Sequence, residues 1–246
     1  MSAEAGALTI SERITEAVSI KTVFTVKAFG LAVPISDTVV ATWIVMAVLV
    51  LSSFLLTRRL RDVPGKAQSL VEGLVAFANK FAEDNIGHEG RRFVPFIGTV
   101  FLFLCVANLL PMLTPVGGFG YEPPFAIKPL TRDINVTSAL AVLTMAVVVF
   151  SALRSKGLKG FLRSFARPMA FMAPFNALEY AVKPLSLSLR LFGNVLGAFI
   201  IMQLAEIVMP VGLPPILGLY FDLFDGLVQA VVFGFLSAVY VAEAIE

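Results

Sequence analysis

Charge is scarce in this chain. Asp, Glu, Lys and Arg make up 15% of its 246 residues, where soluble domains carry about 25%. The 19 basic and 17 acidic residues leave a net charge of +2, too little for a nucleic-acid surface, so no nucleic-acid partner is expected. Cysteine is nearly absent: the single thiol, Cys105, lies in an apolar run. It excludes an internal disulfide framework and reads as small apolar filler. The single histidine, His88, stands alone in the polar stretch "AEDNIGHEGRR", without the companions a metal site needs. No metal or other cofactor is expected. A Gly-rich phosphate-cradling loop is also missing, which argues against a nucleotide site in the chain. The first 36 residues lack a basic start followed by an unbroken apolar core, so no cleaved signal peptide is expected.

What the chain has in abundance is apolar surface. The apolar fraction is 58% and the mean hydropathy is +0.88, against an apolar share of about 45–50% in soluble domains. The chain therefore belongs in a lipid bilayer. A crossing helix needs roughly 20 apolar residues. The first such segment is 38–56, "TVVATWIVMAVLVLSSFLL", which stops at the basic "TRRLRDVPGK". Next, "AQSLVEGLVAFANKFAEDNIG" has helical apolar spacing interrupted by Glu72, Lys80, Glu83 and Asp84, the pattern of an amphipathic helix lying on the membrane surface. Further crossings are expected at 93–111 and 136–153, separated by a Pro- and Gly-rich loop. In "DINVT", Asp133 or Asn135 is placed to cap the latter helix.

The last third differs. Residues 169–209 are almost continuously apolar, too long for one perpendicular helix, yet they contain Glu179, Lys183, Arg190 and Glu206. Residues 213–241 carry Asp222, Asp225 and Gln229. Together they suggest a steeply tilted helical hairpin. The expected fold class is therefore an all-α polytopic membrane protein. It has one N-terminal crossing helix, a surface amphipathic helix, two further crossing helices and the hairpin. A single membrane domain spans 1–246, comprising an external segment 1–36, peripheral helices 37–167 and the hairpin 168–246. Arg58, Arg59, Arg61 and Lys66 mark one loop as cytoplasmic, and Arg154, Lys156, Lys159, Arg163 and Arg167 mark another. That pattern puts the N-terminus outside and the C-terminus in the cytoplasm.

Arg190 is the sharpest feature. Its guanidinium does not deprotonate, and at bilayer depth an uncompensated charge costs at least about 2.5–3.5 kcal/mol. On an α-helix, Ser186, Lys183 and Glu179 lie four, seven and eleven residues before it, within about 40° of its direction. Gly193, Asn194 and Gly197 extend the stripe forward, and the glycines permit close approach of another helix. Two readings remain open: pairing with an acid of this chain, such as Asp222 or Asp225, or a role in transport. On the second arm Asp222, Asp225 and Gln229 share one α-helical face, with groups suited to binding ions or to gluing the hairpin together. Asn108, in "VANLLP", is either a packing residue or part of an aqueous vestibule.

These residues carry a resemblance. "KPLSLSLRLFGN" is similar to the signature of subunit a of F-type ATP synthases. "FVPFIGTVFLFLCVANLLP", "PLTRDINVTSALA" and "VQAVVFGFLSAVYV" follow the same family in order, as do Pro64, Gln68 and Glu72 ahead of the surface helix. The resemblance covers about residues 35–241. It implies a stator subunit in a bacterial plasma membrane, working with a ring of c subunits, peripheral-stalk subunit b and the other synthase subunits. Two offset aqueous half-channels would carry protons or sodium ions to and from the ring carboxylates. Arg190 matches the family's essential arginine, and Asn194 and Gln229 match polar residues near it. Asp222 stands where some relatives have His or Glu, with Asp225 a turn further on. Phe199 occupies a position that is ionisable in many relatives. Glu179, Lys183, Ser186, Glu206 and Asn108 are candidate channel-lining residues. The alternative is a self-contained secondary transporter with its site at Arg190 and Asp222/Asp225; that class often shows an internal repeat, and none is convincing here.

Overall fold

The computed structural model describes residues 22–28, 31–58, 60, 62–110, 129–165, 170–209 and 212–245. The side chains of His88, Glu206 and Asp222 lie outside the described set, as do Arg59, Arg61, Lys128 and Arg167. Among the described residues the regular structure is helical apart from a hairpin ahead of the first helix. That hairpin pairs β1 (Thr22–Ala28) antiparallel with β2 (Leu31–Ser36), from Thr22↔Ser36 to Ala28↔Leu31. The segment 1–36 had offered only mixed charges and short apolar pieces, and no strand was expected there.

The first helix, α1 (Asp37–Thr57), starts where Ser36 caps it: the Ser36 hydroxyl accepts from the Val39 amide at 3.4 Å. Asp37 adds a carboxylate at the positive end of the helix dipole. Helix α2 (Lys66–Ile86) buries Ala82 and sets Val71, Ala78 and Ile86 on the same half-buried face, leaving Leu70, Leu74 and Phe77 exposed. It ends at Gly87, whose φ of 81° belongs to the left-handed region that glycine adopts most easily. Helix α3 (Val94–Leu109) follows. It carries no charged residue but, at 16 residues, is shorter than α1.

Helix α4 (Ile134–Phe165) is capped by Asp133, whose Oδ1 accepts from the Asn135 amide at 2.9 Å. Asn135 itself is exposed, so Asp133 makes the cap anticipated in "DINVT". Past the apolar stretch, Gly157 breaks the helix with φ 68°. Of the basic residues expected in a loop, Arg154 and Lys156 thus lie on the helix ahead of the break, and Lys159 and Arg163 on its helical continuation. Helix α5 (Ala173–Val208) runs 36 residues straight through Pro184, about 54 Å at 1.5 Å per residue. A short α6 (Leu213–Gly218) leads through a π-helical segment, Leu219–Asp225, into α7 (Gly226–Ile245). Among the described residues four helical stretches are long and apolar enough to cross a membrane: Asp37–Thr57, Ile134–Phe165, Ala173–Met202 and Ile216–Ile245.

The core lies where α3, α4, α5 and α7 meet. Val100, Leu104 and Cys105 pack there with Ala141, Leu187, Leu191, Ala230 and Phe233. Flanking clusters join α1 to α3 through Ala41, Val45 and Ala107, and α4 to α7 through Val148, Ala152, Val241 and Ala244. The alanines matter because helices in lipid gain little from hydrophobicity alone and associate by close contact. Three buried hydroxyls are satisfied within their own helices: Thr144 donates to Leu140 O at 2.9 Å, Ser151 to Val147 O at 2.6 Å and Ser237 to Phe233 O at 2.8 Å.

Two polar clamps set the register of the bundle. At the head of α1, Arg132 donates to Asp37 at 2.9 Å and Thr38 donates to Asp133 at 2.7 Å, tying residues 95 positions apart. Burial pulls the Arg132 pKa below its usual value, and the negative charges of Asp37 and Asp133 oppose that shift. The other clamp is Asn108. Its Nδ2 donates to Gly226 O at 3.0 Å while its Oδ1 accepts from the Thr131 hydroxyl at 3.2 Å. A Cβ on Gly226 would lie 2.9 Å from Asn108 Cβ, so α3 and α7 approach this closely only with glycine there. Gly226→Ala is therefore expected to lower stability by about 1–3 kcal/mol in detergent micelles. Gly193→Ala, in open space, should be neutral or stabilising by up to about 1 kcal/mol. Equal denaturation midpoints for the two variants would contradict this packing.

Candidate functional site

Helix α5 is two-sided. Leu187, Ser188 and Leu191 face inward, and the Ser188 hydroxyl bonds with those of Thr137 at 3.2 Å and Ser138 at 3.0 Å on α4. Leu185, Ser186, Leu189, Arg190 and Gly193 face outward and are exposed. The inward leucines are held in the four-helix core, which fixes the rotation of α5 and so turns Arg190 away from the bundle. Among the described residues Arg190 makes no hydrogen bond or ion pair. An added Cβ on Gly193 or Gly197 would meet nothing within 4 Å. The close helix approach that these glycines permit is not made by any of the described residues.

The stripe expected around Arg190 divides into three parts. Ser186, Arg190 and Gly193 stay on the open face. Asn194 is half-buried and turns to the second arm, where its Nδ2 makes a short hydrogen bond to Asp225 Oδ2. Lys183 turns the other way. Its ammonium sits 2.9 Å from Glu179 and 2.8 Å from Glu243 near the end of α7. The rings of Tyr180 and Tyr240 lie 5.7 and 5.3 Å from the same nitrogen. Only 12% of the Lys183 side chain is exposed, so this cation is compensated internally where Arg190 is not. Beside it is a cavity of about 180 Å³, which Asn176 and Ser164 also line.

On the second arm the π-helical segment changes the geometry assumed for Asp222, Asp225 and Gln229. Its i→i+5 bonding puts more residues in each turn, so Asp222 and Asp225 are not related by the α-helical offset. Asp225, the last residue of that segment, is half-buried and bonded to Asn194. Gln229 is buried one α-turn later, and its Nε2 has no hydrogen-bond acceptor among the described residues. A buried donor of this kind costs about 1–3 kcal/mol unless it meets a ligand or water. Asn108 is held in its clamp, 7% exposed. Phe199, half-buried, follows on α5.

The structure therefore brings Asn194 to Asp225 and Lys183 to Glu179, while leaving Arg190 outward. Sequence reasoning missed Glu243, which reads as a charge at a helix end 60 residues from Lys183. It also missed the Ser188–Thr137–Ser138 cluster, since lone hydroxyls in apolar helices carry no spacing signal.

A polytopic membrane protein with an uncompensated arginine on one open helix face, and a carboxylate–amide pair beside it, is an ion-handling membrane subunit with room for a partner. Comparison with known proteins gives the family. The family described as ATP synthase A chain matches residues 39–242. A relative from Moorella thermoacetica, ATP synthase subunit a, is 38% identical over 215 residues, covering 87% of this chain and 93% of the relative. A second, from Propionigenium modestum, is named ATP synthase subunit a, sodium ion specific. It is 35% identical over 217 residues, 86% of this chain and 75% of that protein. The chain belongs to the ATP synthase A chain family: it is an integral membrane component of an ATP synthase with the ion-translocating stator role, and is not a catalytic subunit. These matches do not favour a stand-alone transporter.

Removing the donor to Asp225 tests the pair between the two arms. Asn194→Leu is expected to slow passive ion conduction through the membrane sector in vesicles, with the complex still assembled. Conduction at the wild-type rate would separate the pair from the ion path.

Proposed function

We propose that this chain carries protons or sodium ions along two offset half-channels, to and from the carboxylates of a rotating c-ring, and that Arg190 faces each carboxylate as it passes. One observation carries the reading: Arg190 projects from a membrane helix with no compensating group among the described residues. A charge that costs several kcal/mol in lipid is tolerated when a partner supplies the counter-charge. A ring carboxylate that loses its ion beside Arg190 is stabilised as the anion, and one that moves away becomes easier to neutralise. The same fixed cation repels an ion that would pass straight from one half-channel to the other.

The remaining residues take graded roles. Asp225 offers a titratable or ion-ligating carboxylate near the face, oriented by Asn194. Gln229, with its spare buried donor, suits a polar path on the second arm. Asp222 adds ionisable character where Phe199 has none. Glu179, Lys183 and Glu243 form a charged lining at the other end of α5, and Ser186 lies on the open face between them and Arg190. The length of α5 relative to a hydrocarbon core of about 30 Å supports a tilted hairpin formed with α7, and α3 adds a short crossing. Basic residues after α1 and along the end of α4 support an external N-terminus and a cytoplasmic C-terminus, in a bacterial plasma membrane. Peripheral-stalk subunit b is the expected partner of the outer helices.

Arg190→Ala is expected to abolish coupled ATP synthesis in reconstituted vesicles while the complex still assembles. ATP-driven ion pumping at the normal rate in that variant would overturn the assignment. Asp222→Asn is expected to slow passive conduction severalfold; an unchanged rate would remove Asp222 from the ion path.

A further inference from the structure

Away from Arg190, on the side of the basic residues, a second cavity of about 540 Å³ opens between the turn just ahead of α3, the second half of α4 and the end of α7. Arg92 and Arg154 line it, with Phe93, Phe150 and Ser155. Arg154 is exposed and has no hydrogen bond or ion pair among the described residues. Arg92 is paired only with Glu89, three residues earlier, in a contact 3.2 Å long whose side chains are 72% and 62% exposed. Such an exposed pair is weak. Among the described lining side chains, two guanidiniums stand against one carboxylate, Glu89.

An apolar track leads into it along α4. Leu143, Val147, Phe150 and Arg154 recur at helical spacing on one face, with Leu143 52% and Phe150 63% exposed. From Leu143 to Arg154 the helix rises about 16 Å, close to half of a hydrocarbon core of about 30 Å. The track is thus one leaflet deep, apolar along its length and cationic at its end. A free inorganic anion would need the cationic end alone, whereas a phospholipid uses both.

We propose that Arg92 and Arg154 bind the phosphate of an anionic phospholipid whose acyl chain lies along Leu143, Val147 and Phe150. Guanidiniums suit this task because their planar donors match phosphate oxygens in pairs, and basic pockets at membrane depth select acidic headgroups. Glu89 competes with the phosphate for Arg92 and keeps the site exchangeable.

The test uses the purified synthase complex in phosphatidylcholine vesicles doped with phosphatidylglycerol bearing a photoreactive group on its acyl chain. Labelling is mapped to the peptide containing Phe150. The expected result is labelling that falls about tenfold in the Arg92→Ala/Arg154→Ala complex, rises in Glu89→Gln, and persists in excess inorganic phosphate. Equal labelling by photoreactive phosphatidylcholine with the same chains would overturn the proposal, as would competition by inorganic phosphate. An unlabelled Phe150 peptide would mean that another subunit covers the track, and would overturn it equally. If the double variant fails to assemble, Glu89→Gln decides: its labelling must rise, and no rise rejects the site.

Discussion

A guanidinium in hydrocarbon has no way to shed its charge, and the architecture around α5 follows from that constraint. Lysine, aspartate and glutamate at the same depth can become neutral; arginine needs a counter-charge, a water path or a partner. Leu187 and Leu191 hold one side of α5 in the core, so the opposite side, with Arg190, has to face outward. What meets it there is left to another molecule, and the open space at Gly193 and Gly197 is shaped for close approach.

The rest of the bundle handles polarity in the opposite way. Lys183 is gripped by two carboxylates and flanked by two tyrosine rings. Arg132 is buried against Asp37, Asn108 bonds both to Thr131 and to the backbone at Gly226, and Asp133 caps one helix while accepting from Thr38 on another. Each of these fixes one helix against another. Lys183 and Arg190, seven residues apart on one helix, differ in how their charge is met: the first is compensated inside the chain, and the second is presented on the open face.

Much of this was legible beforehand. Apolar length located α1, α4, α5 and the α6–α7 arm, because a span of lipid demands a run of apolar residues whatever its neighbours are. Charge spacing separated α2 from the crossing helices. The hairpin at 22–36 was not legible, because its pattern is short and its pairing lies in hydrogen bonds between strands. The π-helical segment was equally hidden: nothing in "LYFDLFD" announces a change from i→i+4 to i→i+5 bonding, yet that change alters the angular offset along 219–225.

The stripe around Arg190 marks the boundary between the two kinds of information. The sequence by itself determined that Glu179, Lys183, Ser186, Arg190 and Asn194 share one side of a helix, since helical periodicity depends only on position along the chain. It also determined that Arg190 carries a permanent charge at membrane depth. Only the tertiary structure decided which of these charges is spent internally. That choice depends on α7 bringing Glu243 to Lys183 and the end of the π-helical segment bringing Asp225 to Asn194, contacts made 60 and 31 residues away along the chain. Among the described residues none forms a hydrogen bond or ion pair with Arg190, because the packing of Leu187 and Leu191 turns it toward the outside.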